Sequence, residues 1–200
     1  MTRDCAARIV EKMRAVGEYD GILRDVIHAL KYQHRRSIAA RLAVLMRDRG
    51  GSILDEAGCV VPVPLHWRRQ YQRGFNQAAE IARHLGLPVV DALVRVRHTR
   101  AQVELPADRR RLNVENAFAV RTRGHATDLS GMKVVLVDDV STTGATLEAC
   151  AAPLKAAGAV AVFALTAARV AAPRTHTDSP TEMRSRAGVV SYAYADHADH

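Results

Sequence analysis

Two hundred residues, 48% hydrophobic but only 4% aromatic, suffice for one domain whose core is built from Ala, Val and Leu. A formal net charge of +8 points to a polyanionic partner: a diphosphate, a nucleic acid or both. Cys5, Cys59 and Cys150 stand singly, which excludes a zinc ribbon or redox dithiol and argues against a disulfide framework. With no secretory h-region and no apolar run of bilayer length, a cytoplasmic location follows by default.

Helical patterns dominate the first fifty residues. Ile9, Met13 and Val16 fall on one helical face, and Ile22, Leu23, Val26, Ile27 and Leu30 recur at helical spacing. Residues 38–46 (IAARLAVLM) give a third pattern, punctuated by Arg49-Gly50-Gly51. Together they predict an N-terminal helical segment over residues 1–52.

A core over residues 53–170 follows. Cys59-Val60-Val61 reads as a short buried strand running into Pro62-Val63-Pro64, and residues 76–85 as a helix closed by Gly86. Residues 89–96 fit either a strand or a helix. Residues 97–113 are polar and Arg-rich, a long loop or an irregular hairpin, and loops of that length are commonly functional. A brief strand is expected over 117–120, then a turn-rich linker to Ser130. Residues 133–137 form a short apolar strand, Leu147, Cys150 and Leu154 mark a helix stopped by Gly158, and 159–170 form a last apolar strand. The tail, 171–200, carries Pro, Ser, Thr and charge and is expected to be disordered. His176, His197 and His200 lie too far apart to make a metal site. Short apolar strands alternating with helices indicate an α/β fold with a mainly parallel sheet, whose ligands bind at the carboxyl ends of the strands.

The charge is unevenly spread. Residues 66–123 hold twelve Arg and no Lys against five acids, a net +7. Arg is the better residue for forked hydrogen bonds to phosphate oxygens. Trp67 and Phe75 in WRRQYQRGFNQ could form a base-stacking strip, but packing is the preferred reading. Lys31 reads as a routine cation at a helix C-terminus.

The segment VVLVDDVSTTGAT, residues 134–146, carries the chemistry. Two neighbouring carboxylates at a strand end repel unless something electropositive or hydroxyl-rich sits between them. Vicinal sugar hydroxyls meet that need, because a carboxylate accepts from a hydroxyl pair. Downstream, Ser141, Thr142, Thr143 and Thr146 surround Gly144 just before a helix, whose free amides and positive dipole end suit a phosphate. No lysine follows the glycine, which excludes a Walker loop, and no GxGxxG is present.

KVVLVDDVSTTGAT, residues 133–146, resembles the 5-phosphoribosyl-1-diphosphate (PRPP) signature of type I phosphoribosyltransferases. More narrowly, the chain resembles the competence-protein ComF family. The resemblance runs through YDGILRDVIHALKY (19–32), Val61-Pro62-Val63-Pro64-Leu65, Arg73-Gly74-Phe75-Asn76-Gln77, then Gln102, Leu105, Arg109, Asn113 and Phe118, to LKAAGA (154–159). Many relatives begin with a cysteine-rich zinc module, whereas only Cys5 occupies that region here.

The resemblance implies a type I phosphoribosyltransferase fold, with residues 1–52 as a hood-like segment. Asp138 and Asp139 become the candidate catalytic pair that holds the ribose 2′- and 3′-hydroxyls. Val140, Ser141, Thr142, Thr143, Gly144, Ala145 and Thr146 would hold the 5′-phosphate. The diphosphate loop would lie over 65–70, its candidates being Leu65, His66, Arg68 and Arg69, with Arg73 beyond it. Residues 98–113, with Gln102 and Arg109, would be the flexible loop that closes over the site and excludes water. The expected cofactor is Mg²⁺, carried by PRPP oxygens and water rather than by a protein cage. Two functional readings follow: transfer of phosphoribosyl to an unidentified acceptor, or non-catalytic binding of PRPP or single-stranded DNA in DNA uptake. The expected partners are PRPP and single-stranded DNA, with a homodimer as a further option and no membrane span.

Overall fold

The structure, a computed structural model, describes residues 8–32, 35–65, 67–96, 116–121 and 128–171. Its elements are β1 (Val10–Glu18), α1 (Gly21–Tyr32), α2 (Ser37–Asp55), β2 (Cys59–Pro62), α3 (Trp67–Arg73), α4 (Gln77–Ala82), β3 (Leu93–Arg95), β4 (Phe118–Val120), β5 (Lys133–Ser141), α5 (Ala145–Ala156) and β6 (Ala161–Arg169). Four strands form a parallel sheet in the order β1-β6-β5-β2, and β3 and β4 form a small antiparallel ladder.

β5 and β6 are the inner strands, and their apolar runs are buried on both faces, as a covered parallel sheet requires. On one face Val135, Val137, Phe163 and Leu165 pack with Ile27 and Leu30 of α1, with Leu42, Met46 and Ile53 of α2 and with Ile81 of α4. On the other face Val134, Leu136, Val162 and Ala164 pack with Leu147, Cys150 and Leu154 of α5 and with Leu93 and Phe118 of the ladder. Pairing Val60↔Val135 and Val137↔Leu165 brings the carboxyl ends of β2, β5 and β6 to one edge.

Several expectations change here. The segment around Ile9, Met13 and Val16 is not a helix: β1 pairs in parallel with β6, Val10 to Val162 through Glu18 to Arg169. Tertiary pairing overrides the local period, because β6 would otherwise leave a bare edge. The new edge is charged: Lys12 pairs with Glu56, and Glu11 with Lys155 at 2.8 Å.

α2 does not stop at Gly50-Gly51 but runs to Asp55 and so crosses residue 52. A Cβ on Gly50 would lie 2.8 Å from a methyl of Leu165, so this glycine lets the helix lie close on β6. The helix expected over 76–85 is shorter, Gln77–Ala82, with Asn76 accepting from the Ala78 amide at 3.0 Å as its cap. The ambiguous stretch 89–96 resolves into the strand Leu93–Arg95. The tail beyond Ala171 lies outside the described residues.

Candidate functional site

β5 continues through both acids to Ser141, instead of ending before them. Successive strand residues face opposite ways, so the two carboxylates part company. Asp138 lies on the α5 face, where Thr166 of β6 is its register partner. Asp139 turns to the α1 face, where its Oδ2 lies 2.9 Å from Lys31 Nζ. The Asp139 backbone N–H donates to Asp138 Oδ1 at 2.8 Å.

Asp138, Val140, Ser141, Thr142, Gly144 and Thr146, with Leu147, line a shallow pocket of about 190 Å³, solvent at its mouth included. The turn between β5 and α5 makes this pocket. Gly144 caps α5 at φ 79°, a left-handed conformation that favours glycine, and a Cβ there would meet no protein atom within 4 Å. Its role is thus conformational, and the space beside it is open. Thr143 Oγ1 accepts from the Ala145 amide at 3.3 Å, so this hydroxyl serves the turn. Of the nine residues expected to bind PRPP, these six line the pocket, while Asp139, Thr143 and Ala145 are not among its lining residues.

Two hydroxyls beside Asp138 are buried without a partner: Ser141 Oγ and Thr166 Oγ1. Such a group costs about 1–3 kcal/mol when left unsatisfied. The Asp138 carboxyl is pushed up to about 8, first by burial and then by the charge of Asp139, against the pull of the Asp139 amide and of Lys31. Burial also raises the thiols of Cys59 and Cys150, and the charge of Asp138 adds to it at Cys150. Raised thiols are poor nucleophiles, so neither cysteine is a catalytic group.

The other sequence-derived residues are spread more widely. Leu65 sits in the coil after β2, but residues 67–73 form the helix α3 rather than a loop, so Arg68 and Arg69 lie on a helix. Arg73 ends that helix. Its Nη1 donates to Gln77 Oε1 at 3.2 Å, its Nη2 donates to Tyr32 Oη at 3.3 Å, and its guanidinium lies 5.2 Å from the Tyr32 ring centroid. Phe75 is buried in the core beneath the Arg36 guanidinium, 5.0 Å away, as the packing reading expects. His66, Gln102 and Arg109 lie outside the described residues.

Sequence reasoning set Lys31 aside as a routine cation at a helix end and passed over Thr166. Lys31 follows the buried Ile27 by one helical turn, which puts it on the inner stripe of α1. Thr166 is the single hydroxyl in the apolar run AVFALTAA, a polar residue where the pattern has no use for one.

Comparison with known proteins agrees with this geometry. The phosphoribosyl transferase domain matches residues 72–195. Competence protein F of Haemophilus influenzae is 36% identical over 147 residues, 68% of this chain and 63% of that protein. DNA utilization protein YhgH of Salmonella typhimurium is 34% identical over 165 residues, 76% of this chain and 69% of that protein. Competence protein ComFC of Bacillus subtilis is 27% identical over 147 residues, 73% of this chain and 59% of that protein. The matches thus span roughly two thirds of each relative's length. A solved structure of the allosteric regulatory enzyme of purine biosynthesis shares 23% identity at a TM-score of 0.41, covering 66% of this chain and 25% of that one. With its covered parallel sheet and its acid-and-hydroxyl turn before α5, the chain belongs to the competence-protein ComF family and has the type I phosphoribosyltransferase fold.

Proposed function

We propose that this chain binds PRPP where β5 meets α5 and transfers its phosphoribosyl group to an acceptor with release of diphosphate. The observation that supports this most is the pocket itself. An acid, a row of hydroxyls and a left-handed glycine surround open space before a helix N-terminus, at the carboxyl edge of a parallel sheet.

In this reading the 5′-phosphate takes the hydroxyls and amides of residues 141–146. A ribose hydroxyl donates to Asp138 in the pocket, while Asp139 acts from the other face of β5 through its charge. The bond from C1′ to the diphosphate oxygen breaks with its electrons on that oxygen, and the acceptor's lone pair forms the new bond. No protein nucleophile is needed, so catalysis consists of positioning and charge stabilisation. Among the described residues no cluster of three or more His, Cys, Asp or Glu could cage a metal ion. A Mg²⁺ carried by the diphosphate and water would, when bound, neutralise leaving-group charge.

The test begins with calorimetry of PRPP and Mg²⁺ against the wild type and the Asp138→Asn/Asp139→Asn double variant. Each lost charge-assisted hydrogen bond is worth roughly 1.5–3 kcal/mol. A folded double variant with unchanged affinity overturns the site. Diphosphate release across a panel of bases and amines then tests turnover.

A second reading, binding without turnover in DNA handling, draws on the printed names of the relatives and on the net +7 of residues 66–123. It predicts single-stranded DNA affinity that falls with salt at a slope of about −0.7 per phosphate neutralised. Weak, salt-insensitive DNA binding rejects it.

A further inference from the structure

The two acids at the end of β5 stand in different surroundings, and the difference is made by one lysine. Lys31 Nζ and Asp139 Oδ2 are 2.9 Å apart, with side chains only 15% and 13% exposed. The lysine arrives on a fixed support. Ile27 and Leu30 of the same helix are fully buried in the core. The Tyr19 ring centroid lies 6.0 Å from Nζ, and the Tyr19 amide donates to the carbonyl of Arg169, the last residue of β6, at 2.7 Å.

The charged and titratable groups that act on the acids come from several elements. Asp139 lies on the opposite face of β5 from Asp138 and acts on it through charge, while Lys31 of α1 contacts Asp139 and acts on Asp138 at longer range. Cys150 of α5 feels Asp138, and Arg95 of β3 acts on that same thiol. Among the described residues, Lys31 is the cation in direct contact with a carboxylate of the pair. A neighbouring carboxylate in a half-buried site makes it costlier for Asp138 to ionise unless such a cation offsets the charge.

We propose that Lys31 is a positioning residue: it fixes the Asp139 carboxylate on the α1 face and cancels its charge next to Asp138, so that the Asp138 carboxyl in the pocket can accept a hydroxyl of a phosphorylated sugar. The ligand in this statement rests on the PRPP reading, whereas the electrostatic role does not. Lys31 acts through Asp139 and need not touch the ligand. The direction of the Asp138 carboxyl agrees, since Lys31 already draws it down against burial and the charge of Asp139.

The experiment compares the wild type, Lys31→Met, Lys31→Arg, Asp139→Asn and the Lys31→Met/Asp139→Asn double variant, each checked for folding by circular dichroism. Lys31→Gln, which keeps most of the stem, replaces the Met variant if that one unfolds. Carboxyl-carbon NMR follows the titration of Asp138. Its midpoint should move up by about one unit in Lys31→Met, where the opposing charge is lost, and hold in Lys31→Arg. Calorimetry with PRPP and Mg²⁺ should show an affinity loss of about tenfold or more in Lys31→Met and little loss in Lys31→Arg. In the Asp139→Asn background the same lysine change should cost nothing further.

An unmoved Asp138 titration in folded Lys31→Met overturns the proposal. So do additive losses in the double variant, which would place Lys31 on the ligand itself. If the wild type binds no PRPP, the PRPP reading falls while the titration alone decides the role of Lys31.

Discussion

Replacing Asp138 by Asn should make the protein more stable at neutral and alkaline pH, and the gain should vanish in acid. The folded-state carboxyl titrates at about 8, against an ordinary value of 3.8. At about 1.4 kcal/mol for each pKa step, the ceiling on this effect is about 6 kcal/mol. Asp138 is half-buried, and solvent at the pocket mouth screens part of the cost, so we expect about 2–3 kcal/mol. Because the folded value lies above the unfolded one, the carboxyl's contribution is complete below about pH 4 and is lost as the pH rises toward about 8. Asn has the same shape, keeps an acceptor for the Asp139 amide and does not titrate.

Urea denaturation of both proteins at steps between about pH 4.5 and 8.5 gives the difference directly, and effects common to both chains cancel. The stability difference should grow with pH in favour of Asn. A difference that stays flat across this range would mean that Asp138 is not held neutral by its surroundings. Most of the electrostatic argument for the site would fall with it.

The other expectations are simpler. Gly144→Val should weaken PRPP binding by about tenfold or more through backbone strain at φ 79°, since no protein atom blocks the added side chain; normal binding by calorimetry would show that the turn adapts. Thr166→Val swaps an unpartnered buried hydroxyl for a methyl and should raise stability by about 1 kcal/mol in urea. A fall in stability would instead reveal a partner for that hydroxyl. Cys59 and Cys150 should resist a disulfide reagent at about pH 8 until the chain unfolds, because both are buried with raised thiols. Rapid native labelling of either one would contradict the packing of its strand or helix.

What could be read from sequence was whatever local pattern decides. The runs KVVLV and AVFALTAA are long, apolar and bounded by turns, and they became the two inner strands. The stripe of Ile27 and Leu30 placed α1, and the hydroxyl-rich turn with Gly144 placed the pocket. Failures came where a distant partner decides. β1 is a charged edge strand whose register is set by β6, about 150 residues on, so its apolar residues fitted a helical period by accident. Gly50 reads as a stop, but it is a contact with Leu165. The acids were expected to leave the sheet together, whereas β5 carries both within the strand and its alternation separates them.

The departures from local rules collect at one place. Ser141 and Thr166 are hydroxyls buried without partners, Asp138 is a carboxyl driven upward by burial, and Gly144 holds a left-handed turn. All four belong to the carboxyl edge of β5 and β6, two strands whose buried residues are otherwise Val, Leu, Ala and Phe. A chain optimised for stability alone would carry Val at 166 and an apolar residue at 138, and this sheet would pack better for it. Unsatisfied donors and acceptors at one edge are groups that a polar ligand can satisfy, and binding would then return the free energy that folding left unclaimed there. Under the proposed function such a ligand would be hydroxylated and anionic, since Asp138 can exchange hydrogen bonds with hydroxyls, the turn hydroxyls and amides can donate, and the helix end behind them favours negative charge. A nucleic-acid backbone supplies the phosphate but offers no free vicinal diol within a chain of deoxyribose, whereas a phosphorylated ribose supplies both. The proposed sugar-phosphate reading thus fits the donors and acceptors on this edge better than a nucleic-acid backbone does, and the DNA reading must draw on the arginine-rich sequence of residues 66–123.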